Sequence, residues 1–136
     1  MFRYLLDTNI VLFSLFFPNE LERNVNYLLK DYNGLFYVST LSVQEIIHLY
    51  KRNKIKTNWK KSEDILPDIE MNFEILPVKK EHLVTYSKLS LLNDHNDPYD
   101  HVIISQAITE KMTLVSSDQK FIHYSNQKLN FLFNNR

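Results

Sequence analysis

Short apolar runs alternate with segments of helical spacing along the whole chain, and this alternation constrains the fold most. The runs fall at 4–6, 36–39, 74–77, 113–116 and 131–133. Helical patterns occupy 10–17, 21–32, 41–52, 59–72, 81–92 and 98–111 between them. The segment 41–52 carries Val43, Ile46, Ile47 and Tyr50 on one face. The segment 98–111 is apolar through Val102, Ile103, Ile104, Ala107 and Ile108. Strands alternating with helices predict an α/β fold: a mostly parallel central sheet of four to five strands, covered on both faces. With 136 residues and no long linker, 1–136 is expected to form a single domain.

Four acids stand at junctions between these runs and helices. Asp7 directly follows the run 4–6, and Asp118 lies just past 113–116. Glu45 is near the start of the helix after 36–39, and Asp100 is at the entry to 98–111. Open α/β sheets place their ligands at the carboxyl ends of strands. Each acid also has a structural reading. Asp7 suits the N-cap of the next helix. Ser42-Val43-Gln44-Glu45 matches a capping box with Ser42 as N-cap; alternatively Thr40 is the cap and Glu45 faces inward one turn later. Asp97 suits an N-cap and Pro98 the first helical position, which puts Asp100 third, where the helix dipole favours an acid. Asp118 fits a turn or a cap. Capping explains each acid separately, but it explains less well why all four sit at one end of a sheet. Gathered carboxylates raise one another's pKa values, and a divalent cation resolves the conflict. Hard oxygen donors without cysteine point to Mg²⁺ or Mn²⁺ rather than zinc.

Other classes are excluded by what is missing. There are no cysteines, so disulfides, thiolate metal sites and a cysteine nucleophile are out. Gly34 is the only glycine, which rules out glycine-rich phosphate loops. Asp7 and Asn9 interrupt the first apolar stretch, arguing against a signal peptide or membrane span and for a cytoplasmic protein. The net charge is zero, yet Lys51, Arg52, Lys54, Lys56, Lys60 and Lys61 lie within eleven residues that hold no acid. That stretch reads either as a solvated helix end and loop or as a patch for RNA phosphates. Trp59 within it would stack on a base or anchor a protein partner. Glu45 and His48 form one Glu-x-x-His pair, where di-iron bundles need two. His82, His95 and His123 have no partners by spacing and read as structural or exposed.

The quoted residues carry a resemblance. Leu6-Asp7-Thr8-Asn9, Ser42-Val43-Gln44-Glu45, Asn96-Asp97-Pro98-Tyr99-Asp100-His101-Val102-Ile103-Ile104-Ser105-Gln106-Ala107 and Leu114-Val115-Ser116-Ser117-Asp118-Gln119-Lys120-Phe121 occur in the order and spacing of PIN-domain ribonucleases. The chain resembles most closely the VapC-type toxins of bacterial toxin–antitoxin pairs, over nearly its whole length. The resemblance implies a three-layer α/β/α PIN-like fold. It implies Mg²⁺- or Mn²⁺-dependent RNA cleavage that leaves a 5′-phosphate and a 3′-hydroxyl. Asp7, Glu45, Asp100 and Asp118 would be the metal-binding catalytic acids, with Thr8 and Asn9 supporting them in the same pocket. It further implies a homodimer held by a cognate antitoxin. One position departs: relatives often carry Arg directly after the third acid, and here it is His101, a candidate RNA or partner contact. Two alternatives stand beside this reading. One is a non-catalytic PIN-like module that binds RNA or protein; the other is a hydrolase of small phosphoesters.

Overall fold

The computed structural model describes residues 2–136. Five strands form one sheet: β1 (Phe2–Leu6), β2 (Gly34–Ser39), β3 (Glu74–Leu76), β4 (Thr113–Ser116) and β5 (Asn130–Phe133). Their spatial order is β3-β2-β1-β4-β5, and every neighbouring pair is parallel. The α-helices of the described residues are α1 (Thr8–Phe16), α2 (Arg23–Leu29), α3 (Thr40–Lys51), α4 (Ile65–Asn72), α5 (Lys80–Lys88) and α6 (Pro98–Glu110).

Successive strand residues point to opposite faces, so adjacent apolar residues enter different cores. Leu6, Val38 and Val115 pack with Ile10 of α1, Val25 of α2, Ile46 of α3 and Ile65 and Ile69 of α4. Leu5 and Leu114 pack on the other face with Ile103, Ile104 and Ala107 of α6. Phe121 and Tyr124, from the 3₁₀ segment Gln119–Gln127, complete that second core. The expected three layers follow, and strands buried on both faces read as continuous apolar runs. No described helix is long and apolar enough to cross a membrane.

Element boundaries differ from the sequence expectation where tertiary contacts compete with helical propensity. The helix expected over 59–72 begins only at Ile65, after a 3₁₀ turn at Ser62–Asp64. Trp59 lies outside it, its indole N–H donating to Asp68 at 2.8 Å. The helix expected to reach residue 92 ends at Lys88. Beyond it, the Gln127 side chain bonds both the N–H and the C=O of Ser90, replacing helical partners. Likewise α2 covers only Arg23–Leu29 of the expected 21–32. The N-cap of α3 is Ser39, whose hydroxyl accepts from the Leu41 N–H at 3.1 Å, and neither Ser42 nor Thr40 fills that role. By contrast Asp97 and Pro98 start α6 as expected, with Asp100 third.

The chain winds outward from β1 through β2 to β3, then returns to lay β4 on the other side of β1. Winding reverses between β1 and β4, the switch point where open α/β sheets bind ligands beyond their carboxyl edge. Asp7 immediately follows β1, and Asp118 follows β4 by two residues.

Candidate metal centre

The first two acids are tied together across this switch point. The Asp7 N–H extends the ladder to the Val115 C=O at 3.0 Å. Asp7 Oδ1 accepts from the Thr8 N–H at 2.9 Å, capping α1. Its Oδ2 accepts from the Ser116 hydroxyl at 2.7 Å. Ser116 Oγ in turn accepts from the Asp118 N–H at 3.0 Å. Asp118 Oδ1 accepts from the Lys120 N–H at 3.0 Å and caps the following 3₁₀ segment. The capping role is therefore real for Asp7 and Asp118, but it does not explain why Asp7 is only 9% exposed.

Electrostatics links the group further. Burial pushes the Asp7 carboxyl up to about 7, and Asp100 and Glu45 push it the same way against the hydrogen bonds from Ser116 and Thr8. Burial also raises Asp100 to about 7, with Asp97, Asp118 and Glu45 adding to the rise and Lys120 opposing it. Asp7 thus feels Asp100 and Glu45, and Asp100 feels Asp118 and Glu45. The four are not equivalent, however. Asp100 and Asp118 approach closely, Asp7 joins them through Ser116, and Glu45 is exposed. Glu45 lines a cleft of about 260 Å³ with Leu41, Gln44, His48 and Tyr99.

His95 is the residue that spacing missed. Its ring is 3% exposed, and its Nε2 lies 3.1 Å from Asp100 Oδ2. One ring nitrogen of His95 and one carboxylate oxygen each of Asp100 and Asp118 all lie within 4.8 Å of one another. Although the His95–Asp100 geometry is that of an ion pair, burial pushes the histidine pKa down and the aspartate pKa up. The contact is better described as a hydrogen bond between groups driven toward their neutral forms. No local signal marks His95, which reaches Asp100 through the turn that precedes α6. Lys120, also unremarked in the sequence, donates to the Asp94 C=O at 3.1 Å and places a cation near Asp100.

Three residues close to the acids in the chain have a buried polar atom without a partner: Thr8 Oγ1, Ser42 Oγ and His95 Nδ1. Thr8 follows Asp7, and Ser42 lies one turn before Glu45. Asn9 is exposed. His101 is 2% exposed, which corrects its reading as an RNA or partner contact. Its Nε2–H donates to the His95 C=O at 2.7 Å, so it clamps the backbone that carries His95. His82 is fully buried and bonded, and His123 is exposed.

The basic run forms a surface of its own. Lys51, Arg52, Lys54 and Lys56 are exposed, and among the described residues none is in an ion pair. Lys51 ends α3 about 9 Å along the helix axis beyond Glu45. Trp59 is largely committed to the fold: its ring meets Phe16 edge-on at 4.8 Å, and Tyr50 donates to its C=O at 3.0 Å. Its ring is half-buried by these contacts.

A sequence profile of the PIN domain matches residues 4–127. No curated protein matches the chain. The fold is shared with solved structures of low sequence identity. VapBC2 from Rickettsia felis, bound to a DNA fragment from its promoter, is 21% identical with a TM-score of 0.68. That alignment covers 98% of this chain and 99% of the other. DNA-bound VapBC from Salmonella typhimurium is 16% identical with a TM-score of 0.69, covering 98% of both chains. A toxin–antitoxin complex from Klebsiella pneumoniae is 17% identical with a TM-score of 0.58, covering 88% of this chain and 89% of the other. With a profile match over most of its length and the parallel five-stranded architecture described above, the chain belongs to the PIN domain family.

Proposed function

We propose that this PIN domain is a metal-dependent endoribonuclease, the VapC-type toxin of a toxin–antitoxin pair, with Asp7, Glu45, Asp100 and Asp118 as its catalytic acids. The observation that carries the reading is the gathering of acids at the switch point: Asp100 and Asp118 lie within 4.8 Å of one another, and Asp7 reaches Asp118 through Ser116, with burial raising both Asp7 and Asp100. Burying like charges together destabilises a fold unless something binds them. The donor set suits a hard divalent cation, Mg²⁺ or Mn²⁺, and Thr8, next to Asp7 in the chain, has a buried hydroxyl without a partner. Asp100 and Asp118 would hold the ion, with Asp7 and Glu45 around it. Such an ion supplies a water acidic enough to act near neutral pH and charge to offset the scissile phosphate.

The chain's own residues do the rest. Ser116 fixes the Asp7 carboxylate and, through the Asp118 N–H, the spacing between strands β1 and β4. Glu45, exposed on its cleft, is open to solvent and to a substrate entering there. Lys120 sets a positive charge beside the acids, where a phosphate would arrive. The VapBC and toxin–antitoxin structures of the same fold support an antitoxin partner, and a cytoplasmic homodimer accompanies that reading.

The test is cleavage of RNA by purified protein with Mg²⁺ or Mn²⁺. Fragments should carry 5′-phosphate and 3′-hydroxyl ends, and EDTA should stop the reaction. Cyclic phosphate ends, or cleavage that survives EDTA, would overturn it. Turnover of para-nitrophenyl phosphate without RNA cleavage would favour the phosphohydrolase instead.

The exposed run Lys51, Arg52, Lys54 and Lys56 is proposed to meet RNA phosphates beyond the acids. Reversing Lys54 and Lys56 to Glu should weaken binding and reduce the slope of log affinity against log salt by about 1.4 for single-stranded RNA. An unchanged slope removes the run from RNA binding.

A further inference from the structure

We propose that His95 is a nitrogen ligand of the metal centre, forming with Asp100 and Asp118 a mixed site that prefers Mn²⁺ to Mg²⁺. The inference rests on the functional reading above and adds a residue type that an all-acid site lacks. Three observations carry it.

The first is convergence. Among the described residues, His95, Asp100 and Asp118 are the group whose ligand atoms gather within 4.8 Å of one another.

The second is rigidity. The His95 ring is boxed by His101, Phe121 and Tyr124, with centroids 5.0, 5.2 and 5.6 Å away. Its backbone is pinned on both sides, the N–H to the Leu92 C=O at 3.1 Å and the C=O by His101 at 2.7 Å. A donor held this way meets an ion without first losing conformational freedom.

The third is an unfilled valence. Neutral imidazole offers one N–H and one lone pair. His82, equally buried, uses both nitrogens: Nδ1 accepts from the Lys79 N–H at 2.9 Å and Nε2 meets Glu110 at 2.8 Å. Buried histidines serving only structure are ordinarily satisfied in this way. His95 meets Asp100 with Nε2, and its buried Nδ1 has no partner. The nitrogen that faces the acids is Nε2, and its one partner is Asp100, a ligand of the same site, so no group outside the site competes with an ion for it. Imidazole suits transition metals, whereas Mg²⁺ keeps to oxygen donors and water, so a nitrogen in the set shifts preference toward Mn²⁺.

Electron spin-echo spectroscopy of bound Mn²⁺ reads the ligand directly. Wild-type protein should bind Mn²⁺ and show a ¹⁴N coupling, and the coupling should change to the ¹⁵N pattern when histidine is ¹⁵N-labelled. The coupling should vanish in His95→Phe, which keeps a ring in the aromatic box, and persist in His48→Ala. The ratio of Mn²⁺ to Mg²⁺ affinity should fall about tenfold in His95→Phe. Bound Mn²⁺ without nitrogen coupling in labelled wild-type protein overturns the proposal, even if His95→Phe does not fold. Coupling that survives His95→Phe overturns it too. Either result leaves the nuclease reading standing on its acids. Failure of the wild type to bind Mn²⁺ overturns the proposal, and failure to bind Mg²⁺ as well overturns the nuclease reading.

Discussion

Replacing Asp7 by Asn is expected to lower kcat/KM for RNA cleavage by at least about a hundredfold, with no loss of thermal stability. The substitution separates the two jobs of this side chain. Asn is as good an N-cap as Asp, and its amide oxygen accepts from the Thr8 N–H as Asp7 Oδ1 does. The amide N–H₂ then faces Ser116 Oγ, which can accept from it while its own proton rotates away. The charge is lost together with the acceptor of the buried Ser116 proton, a cost of roughly 1–3 kcal/mol set against relief of a carboxylate raised to about 7. That charge is disfavoured in the metal-free fold, since burial and the neighbouring acids raise the Asp7 carboxyl to about 7. The melting temperature should therefore hold or rise. Asp7→Ala is a different perturbation: it removes the cap, worth about 1 kcal/mol, and strands the buried Ser116 hydroxyl at roughly 1–3 kcal/mol more. Assays of both variants beside circular-dichroism melts distinguish the lost charge from the lost cap. Full activity in Asp7→Asn would make Asp7 a cap and nothing more. A large drop in its melting temperature, with activity falling in proportion, would make it structural.

The sequence exposes what is encoded locally. Leu5 and Leu6 are consecutive apolar residues that serve opposite faces, so the run 4–6 already implies a strand buried on both sides. Asp97-Pro98 fixes the start of α6 because a capping side chain and a preset φ act within three residues. The acids are legible because they fall where strands end. What the sequence conceals depends on distant partners. Ser39 and Ser42 are equally good caps by composition, and the length of β2, set by its pairing with β1 and β3, selects Ser39. Trp59 sits in a basic stretch that suggests exposure, but Phe16 and Asp68 draw it inward. His95 and His101 look like solvated loop and helix residues. Their burial comes from Phe121 and Tyr124, which approach from beyond β4.

Metal-free wild-type protein should lose stability as pH rises from about 4 to about 7, and Asp100→Asn should remove much of that loss. The direction follows from which state holds the proton. Asp7 and Asp100 titrate near 7 when folded, against an ordinary aspartate value of 3.8. Between those limits the folded protein binds protons that the unfolded chain has released, so stability falls with pH and levels off above 7. A rise of about three units corresponds to about 4 kcal/mol for an isolated group. Solvent still reaches the Asp100 side chain, which is 24% exposed, so roughly 1–3 kcal/mol is expected from its substitution. That is roughly 3–10 °C in melting temperature at this chain length. The opposing effect is the dipole of α6, which favours a charge at its third position by about 0.3–1 kcal/mol. A contribution of that size is smaller than the cost of burial and of repulsion from Asp97, Asp118 and Glu45, and Asn retains an oxygen to accept from His95. Melts in EDTA at pH 5 and pH 8 measure the effect. Mn²⁺ added at pH 8 should then raise the wild type more than the variant, because the charge that destabilises the metal-free fold is the charge that binds the ion. A midpoint independent of pH, or a lower midpoint in Asp100→Asn at pH 8, would mean that the dipole prevails and that Asp100 serves the helix rather than a cation.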